Sequence, residues 1–194
     1  GTAVTAEINF YTLSVSLVNS TVKVNGTTVS DGGSVVVLGG TTTAANNFGH
    51  AVVATSLTGY HFSNWSSSGI VTFGSATTTA SNTAKVASSS TITATSDSNK
   101  ATITLKKDGS NCSTCNGYVV HLSTSNSSDT VSFSGTTTTA STVTLTGASG
   151  AAGLISGTTY YIWVAKDSNH KAAGTSNANM AYSGVSITGG TAVT

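Results

Sequence analysis

The chain has 194 residues, room for one large β domain or two ordinary ones. Ser and Thr supply 69 of them, 13 are charged (7 Lys, 6 acidic, no Arg), and Pro is absent. A net charge of +1 with 38% apolar residues excludes the highly charged, apolar-poor composition of disordered chains, and the lack of Arg and of a basic stripe argues against nucleic acid.

Alternating apolar and polar residues recur along the chain, and helical periodicity is nearly absent. The runs are Leu13-Ser-Val15-Ser-Leu17, Val22-Lys-Val24, Ile103-Thr-Leu105, Val131-Ser-Phe133, Val143-Thr-Leu145 and Ile162-Trp-Val164. Period-two runs bounded by Gly, Asn, Asp and Ser predict strands and turns. Asn25-Gly26 predicts a tight hairpin, because both central positions of a type I′ turn need φ > 0. Asp31-Gly32-Gly33, Asp108-Gly109 and Asn116-Gly117 mark further turns. The fold class expected is all-β: two small β-sandwich-like domains in tandem. Their boundary falls near Ser96–Lys100, between a closing strand at Thr91–Thr95 and an opening one at Ala101–Leu105. No stretch approaches the ~20 apolar residues of a membrane-spanning helix. The first residues lack a charged region followed by an apolar core, so an export signal would lie outside this sequence.

Gly1-Thr-Ala-Val-Thr5 recurs as Gly190-Thr-Ala-Val-Thr194, a spacing of 189 residues (190 − 1). Such a recurrence is expected of a tandem array whose period is a two-domain unit.

Residues 11–95 resemble the internalin-type B-repeat, a "bacterial repeat" found in tandem on surface proteins. The resemblance is carried by Tyr11-Thr-Leu-Ser-Val15, Asp31–Val37, Ala51–Thr55 and, most specifically, Gly59-Tyr-His-Phe-Ser-Asn-Trp65, with Thr91-Ile-Thr-Ala94 closing the pattern. The long Thr/Asn insert from Gly39 to Gly49 departs from it. Residues 100–189 look similar to prealbumin-like or Cna-B-type surface modules, through Ala101–Gly109, Gly117–Leu122 and Gly157–Val164. In such modules a last strand follows. Its natural continuation after Val185-Ser-Ile187 is the text of residues 2–10. The resemblance therefore implies that residues 1–10 complete the preceding repeat's second domain, with 11–97 and 98–194 as the two domains proper. Thr2, Val4, Glu7, Ile8 and Phe10 would form a strand-exchange interface with another copy of the module, since strand addition at an open sheet edge is a known route to association. The Cna-B likeness also implies a Lys–Asn isopeptide crosslink, for which Lys106 or Lys107 and Asn9 are the candidates. The acid that promotes such a bond is not identifiable.

Candidate chemistry is sparse. Hydrolysis needs a nucleophile beside an oriented base. His50, His61, His121 and His170 are each isolated among Ser, Thr or apolar residues, and there is no Gly-x-Ser-x-Gly elbow. Asp31, Asp108 and Asp167 sit beside turn residues, where Asp commonly bonds its own backbone. No catalytic, cofactor or metal site is expected: the chain has too few clustered acids for glycosidase or calcium chemistry. Cys112 and Cys115 form a single C-x-x-C without the second pair that zinc requires. A small disulfide loop or two free thiols remain, the disulfide being the expectation for a secreted chain.

If Gly59–Trp65 is a regular strand, Tyr60, Phe62 and Asn64 share one face and His61, Ser63 and Trp65 the other. Trp65, like Tyr160, Tyr161, Trp163 and Tyr182, is either core or a platform for sugar rings. Five Asn-x-Ser/Thr sequons occur, at Asn19, Asn25, Asn64, Asn111 and Asn126. The functional expectation is a non-enzymatic structural repeat unit of an extracellular or cell-surface fibre or adhesin stalk, stacking head to tail and needing no cofactor. Its partners would be other copies of itself. The rival is a carbohydrate-binding module that meets host or matrix glycans through surface aromatics.

Overall fold

The computed structural model describes residues 8–40, 48–113, 118–124, 133–136, 142–145, 152–155, 157–165 and 184–186. Side chains of 106–107, 133–136, 162–165 and 184–186 fall outside that description. Among the described residues every regular element is a strand, so the fold is all-β. The strands are β1 (Asn9–Val18), β2 (Ser20–Val24), β3 (Thr27–Val29), β4 (Ser34–Gly39), β5 (His50–Ser56), β6 (Tyr60–Ser68), β7 (Val71–Phe73), β8 (Ser81–Val86) and β9 (Ser90–Ser98). They continue with β10 (Ala101–Thr104), β11 (Lys106–Lys107), β12 (Ser110–Asn111), β13 (Val119–Ser123), β14 (Phe133–Thr136), β15 (Thr142–Leu145), β16 (Thr159–Ala165) and β17 (Gly184–Ser186).

The chain divides into two compact units, 1–57 with 62–97, and 58–61 with 98–194. The first contains a four-stranded sheet, β4-β1-β9-β6, and a five-stranded sheet, β3-β2-β5-β8-β7. Alternation sends Leu13, Val15, Val37 and Ile92 of the first sheet inward, and Val22, Val24, Val52 and Ala84 of the second. Both sets belong to one buried cluster, the arrangement of a sandwich. Outward positions are mostly Ser and Thr, which suit pleated surfaces and leave the apolar set a single side to bury.

Local turn chemistry sets the hairpins. Asn25 at φ 49° and Gly26 at φ 83° join β2 to β3, with Val24 opposite Thr27. Asp108 at φ 52° and Gly109 at φ 80° do the same for β11 and β12. Both have the positive φ pair of a type I′ turn. The corner between β1 and β2 is Asn19, at φ 52°, where the chain leaves one sheet for the other. Its carboxamide donates to the Ser96 carbonyl at 3.2 Å, and its own carbonyl accepts from Leu57 N–H at 2.9 Å. Beneath it the hydroxyls of Ser20 and Ser96 lie 2.6 Å apart, and those of Ser56 and Ser96 2.9 Å apart. Ser20 and Ser96 are buried, and these hydroxyl contacts remove most of the cost of burying them.

Three sequence expectations need correction. β1 begins at Asn9 rather than Tyr11, and Asn9 and Phe10 are already paired within their own unit, opposite Gly39 and Leu38. One edge of their backbone is thus taken up at home, while β9 meets the other edge of β1 only from Leu13 onward. Strict alternation in β6 also fails: the rings of Phe62 and Trp65 meet at 5.6 Å, although three residues apart, and both join the core. The Trp65 N–H donates to the Thr77 carbonyl, outside any paired strand, so β6 does not keep a regular two-residue repeat there. Finally, the Asp31 carboxylate accepts from Leu17 N–H at 2.8 Å, tying the turn to the end of β1 rather than to its own backbone.

In the second unit β10 pairs with β15, and β14-β13-β16-β17 form a four-stranded sheet. Its core contains Ala101, Ile103, Val120, Leu122, Val143, Leu145, Leu154 and Tyr160. On the opposite face of the β10–β15 pair, Thr104 meets Thr142 and Thr102 meets Thr144, with hydroxyl separations of 3.3 and 3.5 Å. Cross-strand pairs of this kind contribute roughly 0.2–1 kcal/mol each.

Candidate functional site

Two of the histidines that the sequence offered for chemistry, His50 and His61, are engaged with carboxamides that tie separate parts of the fold together. His50, at the start of β5, is 8% exposed. Its Nε2 lies 2.7 Å from the Leu38 carbonyl and its Nδ1 3.1 Å from Asn25 Nδ2. Asn25 Oδ1 in turn accepts from Ala51 N–H at 3.0 Å. One imidazole and one carboxamide thereby connect β4, the β2–β3 turn and β5.

A second node lies in the other unit. Asn99, fully buried, donates from Nδ2 to the Leu154 carbonyl at 2.6 Å, and its Oδ1 lies 3.0 Å from His61 Nδ1. Its backbone N–H donates to the Gly59 carbonyl, which also accepts from Gly153 N–H. Gly59 and Gly153 approach so closely that a Cβ on Gly153 would collide with the backbone of Asn99. Gly59 also holds φ 84°, where a side chain is strained. These glycines are required by contact and conformation together. His50 and His61 each have a carboxamide partner in place of the carboxylate that orients a catalytic base.

His121 is buried on β13, and burial pushes its imidazole below the ordinary histidine value. Cys112 is disulfide-bonded and buried; Cys115, the other cysteine of the sequence, lies outside the described residues. Trp65 is 1% exposed and packs against Phe62 and Phe73, its Nε1–H donating to the Thr79 carbonyl at 3.1 Å. Tyr160 is 3% exposed, its hydroxyl accepting from Ile155 N–H. Neither ring is available as a sugar platform. Tyr161 is half-buried, the side chain of Trp163 is outside the description, and Tyr182 lies outside the described residues.

A shallow groove of about 220 Å³ runs between Thr12, Ser14, Ser68, Ser89, Ser90 and Thr91. Its lining is hydroxyl throughout, able to donate to and accept from water or a polyol but without an acid, a base or an aromatic ring. Among the described residues no group of three His, Cys, Asp or Glu side chains stands close enough to hold a metal ion.

The remaining sequence candidates are scattered. Thr2, Val4 and Glu7 lie outside the described residues, as do Asn116-Gly117, Asp167 and His170, and Ile8 is exposed. Lys106 and Lys107 pair with Asn111 and Ser110 in a two-residue hairpin, while Asn9 sits in β1 of the first unit. The node at Asn99 was missed by sequence reasoning. Its partners are 38 to 55 residues away, and no local pattern marks it. No protein-family model, curated protein or solved structure matches the chain.

Proposed function

We propose that the chain is a structural repeat unit of an extracellular or cell-surface fibre or adhesin stalk, with copies stacking head to tail. The observation that carries the reading is the recurrence of Gly-Thr-Ala-Val-Thr at a spacing of 189 residues, about the span of two compact units. The internalin-type and Cna-B-type resemblances point the same way, both being surface modules. Use of the His and Asn side chains to join strands, with hydroxyls covering the outer faces, suits a load-bearing part. The segment Thr2–Phe10 remains the candidate for strand complementation, with Asn9 and Phe10 paired to their own sheet along one edge. Burial of Trp65 and Tyr160 takes two aromatics from the rival glycan-binding reading.

Sedimentation velocity and negative-stain microscopy over a concentration series test the proposal. The full chain is expected to form unbranched end-to-end oligomers that vanish when Thr2–Glu7 are deleted. A monomer at every concentration, or oligomers indifferent to the deletion, overturns head-to-tail complementation. Binding on a glycan array that is lost with Trp163→Ala instead establishes the carbohydrate reading.

A further inference from the structure

We infer that His50 is an acid-sensitive latch between the β2–β3 turn and β5, its hydrogen bonds and those of Asn25 being satisfied together only while its Nδ1 carries no proton. Hydrogen-bond chemistry fixes the state of the ring. The Leu38 carbonyl can only accept, so the Nε2 facing it at 2.7 Å carries the hydrogen. Ala51 N–H can only donate, so the Asn25 atom it meets at 3.0 Å is Oδ1, leaving the amide Nδ2 to face His50. That amide can only donate, so Nδ1, 3.1 Å away, must be an acceptor. Both ring nitrogens are committed in the neutral Nε2–H tautomer, and no other state satisfies all four atoms.

Protonation of Nδ1 places N–H against N–H. If the Asn25 carboxamide turns over to relieve this, Ala51 N–H loses its acceptor and faces a donor instead. Turnover is favoured, because the imidazolium then gains a charge-assisted bond to Oδ1, and the bond lost is that of Ala51 N–H where the β2–β3 turn meets β5. His61 behaves differently. Asn99 Nδ2 is held by Leu154, so Oδ1 faces His61, whose Nδ1 therefore carries the hydrogen and keeps it in either charge state.

Few charges near His50 oppose or assist the change. Among the described residues, the titratable groups on the strands around it are Tyr11 on β1, Lys23 on β2 and Lys85 on β8. The Tyr11 hydroxyl donates to the Gly40 carbonyl at 2.9 Å. Lys23 and Lys85 alternate onto the opposite face of their sheet from the buried Val22, Val24, Ala84 and Val86. β4 carries no titratable residue.

Long-range ¹H–¹⁵N spectra of the full chain test the latch without any substitution. At neutral pH His50 is expected as the Nε2–H tautomer and His61 as the Nδ1–H tautomer. As His50 protonates, the exchange-protection factor of the Ala51 amide should fall roughly fivefold to tenfold, as for one lost hydrogen bond, while that of Asn99 holds. An Nδ1–H tautomer at His50, or unchanged Ala51 protection once it is protonated, overturns the inference. Asn25→Asp supplies the second arm. Its carboxylate accepts from Ala51 N–H and from protonated Nδ1 together, so acid loosening should disappear. A variant that loosens as the parent chain does overturns the inference equally.

Discussion

His121 carries a proton-linked consequence that its neighbours in sequence do not reveal. It lies on β13 between Val120 and Leu122, both fully buried, and is itself 7% exposed. Burial disfavours the imidazolium, so the folded chain binds this proton less readily than the unfolded chain, whose value is the ordinary 6.5. Between those two values the unfolded state holds more protons, and stability rises with pH. The contribution is complete above about 6.5 and is lost as the pH falls below it. Urea midpoints measured from pH 7.5 down to 5 should therefore decline, and His121→Leu should flatten the slope whatever its effect on absolute stability. An equal slope in the variant assigns the acid sensitivity elsewhere. Trp65 gives a second test at this scale. Replacing it with Phe removes part of a filled core and leaves the Thr79 carbonyl without its indole donor. The expected cost is about 2–4 kcal/mol, read by chemical denaturation.

At the scale of elements, what was legible in the sequence is what local chemistry decides. Asn25-Gly26 predicted a hairpin and Asp108-Gly109 a turn, because a type I′ turn is specified by its own two residues. The alternation of β2, β10 and β15 was equally plain, since each keeps one face buried. The parallel pairing of β1 with β9 was not: Leu13 meets Ser90 across 77 residues, and nothing in either strand encodes that partner. Nor could alternation foresee Phe62 and Trp65 on one core, because a departure from the two-residue repeat is fixed by what the strand packs against. The polar nodes were illegible for the same reason. An isolated His reads as unemployed until the fold brings an Asn to it. Gly26 allows the local part to be isolated, for a Cβ there would touch nothing within 4 Å. Gly26→Ala should cost about 1 kcal/mol through backbone strain alone, measured as a shift in the urea midpoint. Gly153→Ala, by contrast, drives a Cβ into the Asn99 backbone, and should cost more and disturb the Leu154 and His61 contacts of that carboxamide. Equal losses for the two would mean that close approach at Gly153 carries no weight.

At the scale of the molecule, the buried residues fall into two clusters with no member in common. Leu13, fully buried, belongs to the first and Leu122, equally buried, to the second. Truncating a buried Leu to Ala costs about 2–5 kcal/mol, and the cost falls on the cooperative unit that owns the cavity. If each cluster is the centre of its own cooperative unit, Leu13→Ala should raise amide exchange at Val22, Val52 and Ile92 while leaving Val120, Val143 and Leu145 protected. Leu122→Ala should do the reverse. For units of about 90 residues, such losses lower the corresponding thermal transition by roughly 10 °C or more, so the two variants should split the unfolding curve in opposite senses. One substitution weakening both sets of amides by the same factor would make the chain a single cooperative body. That result would matter beyond stability. A repeat that yields one unit at a time can lengthen under load while the rest stays folded, whereas a single cooperative body cannot. The exchange experiment therefore decides which mechanical behaviour an array of such chains could have.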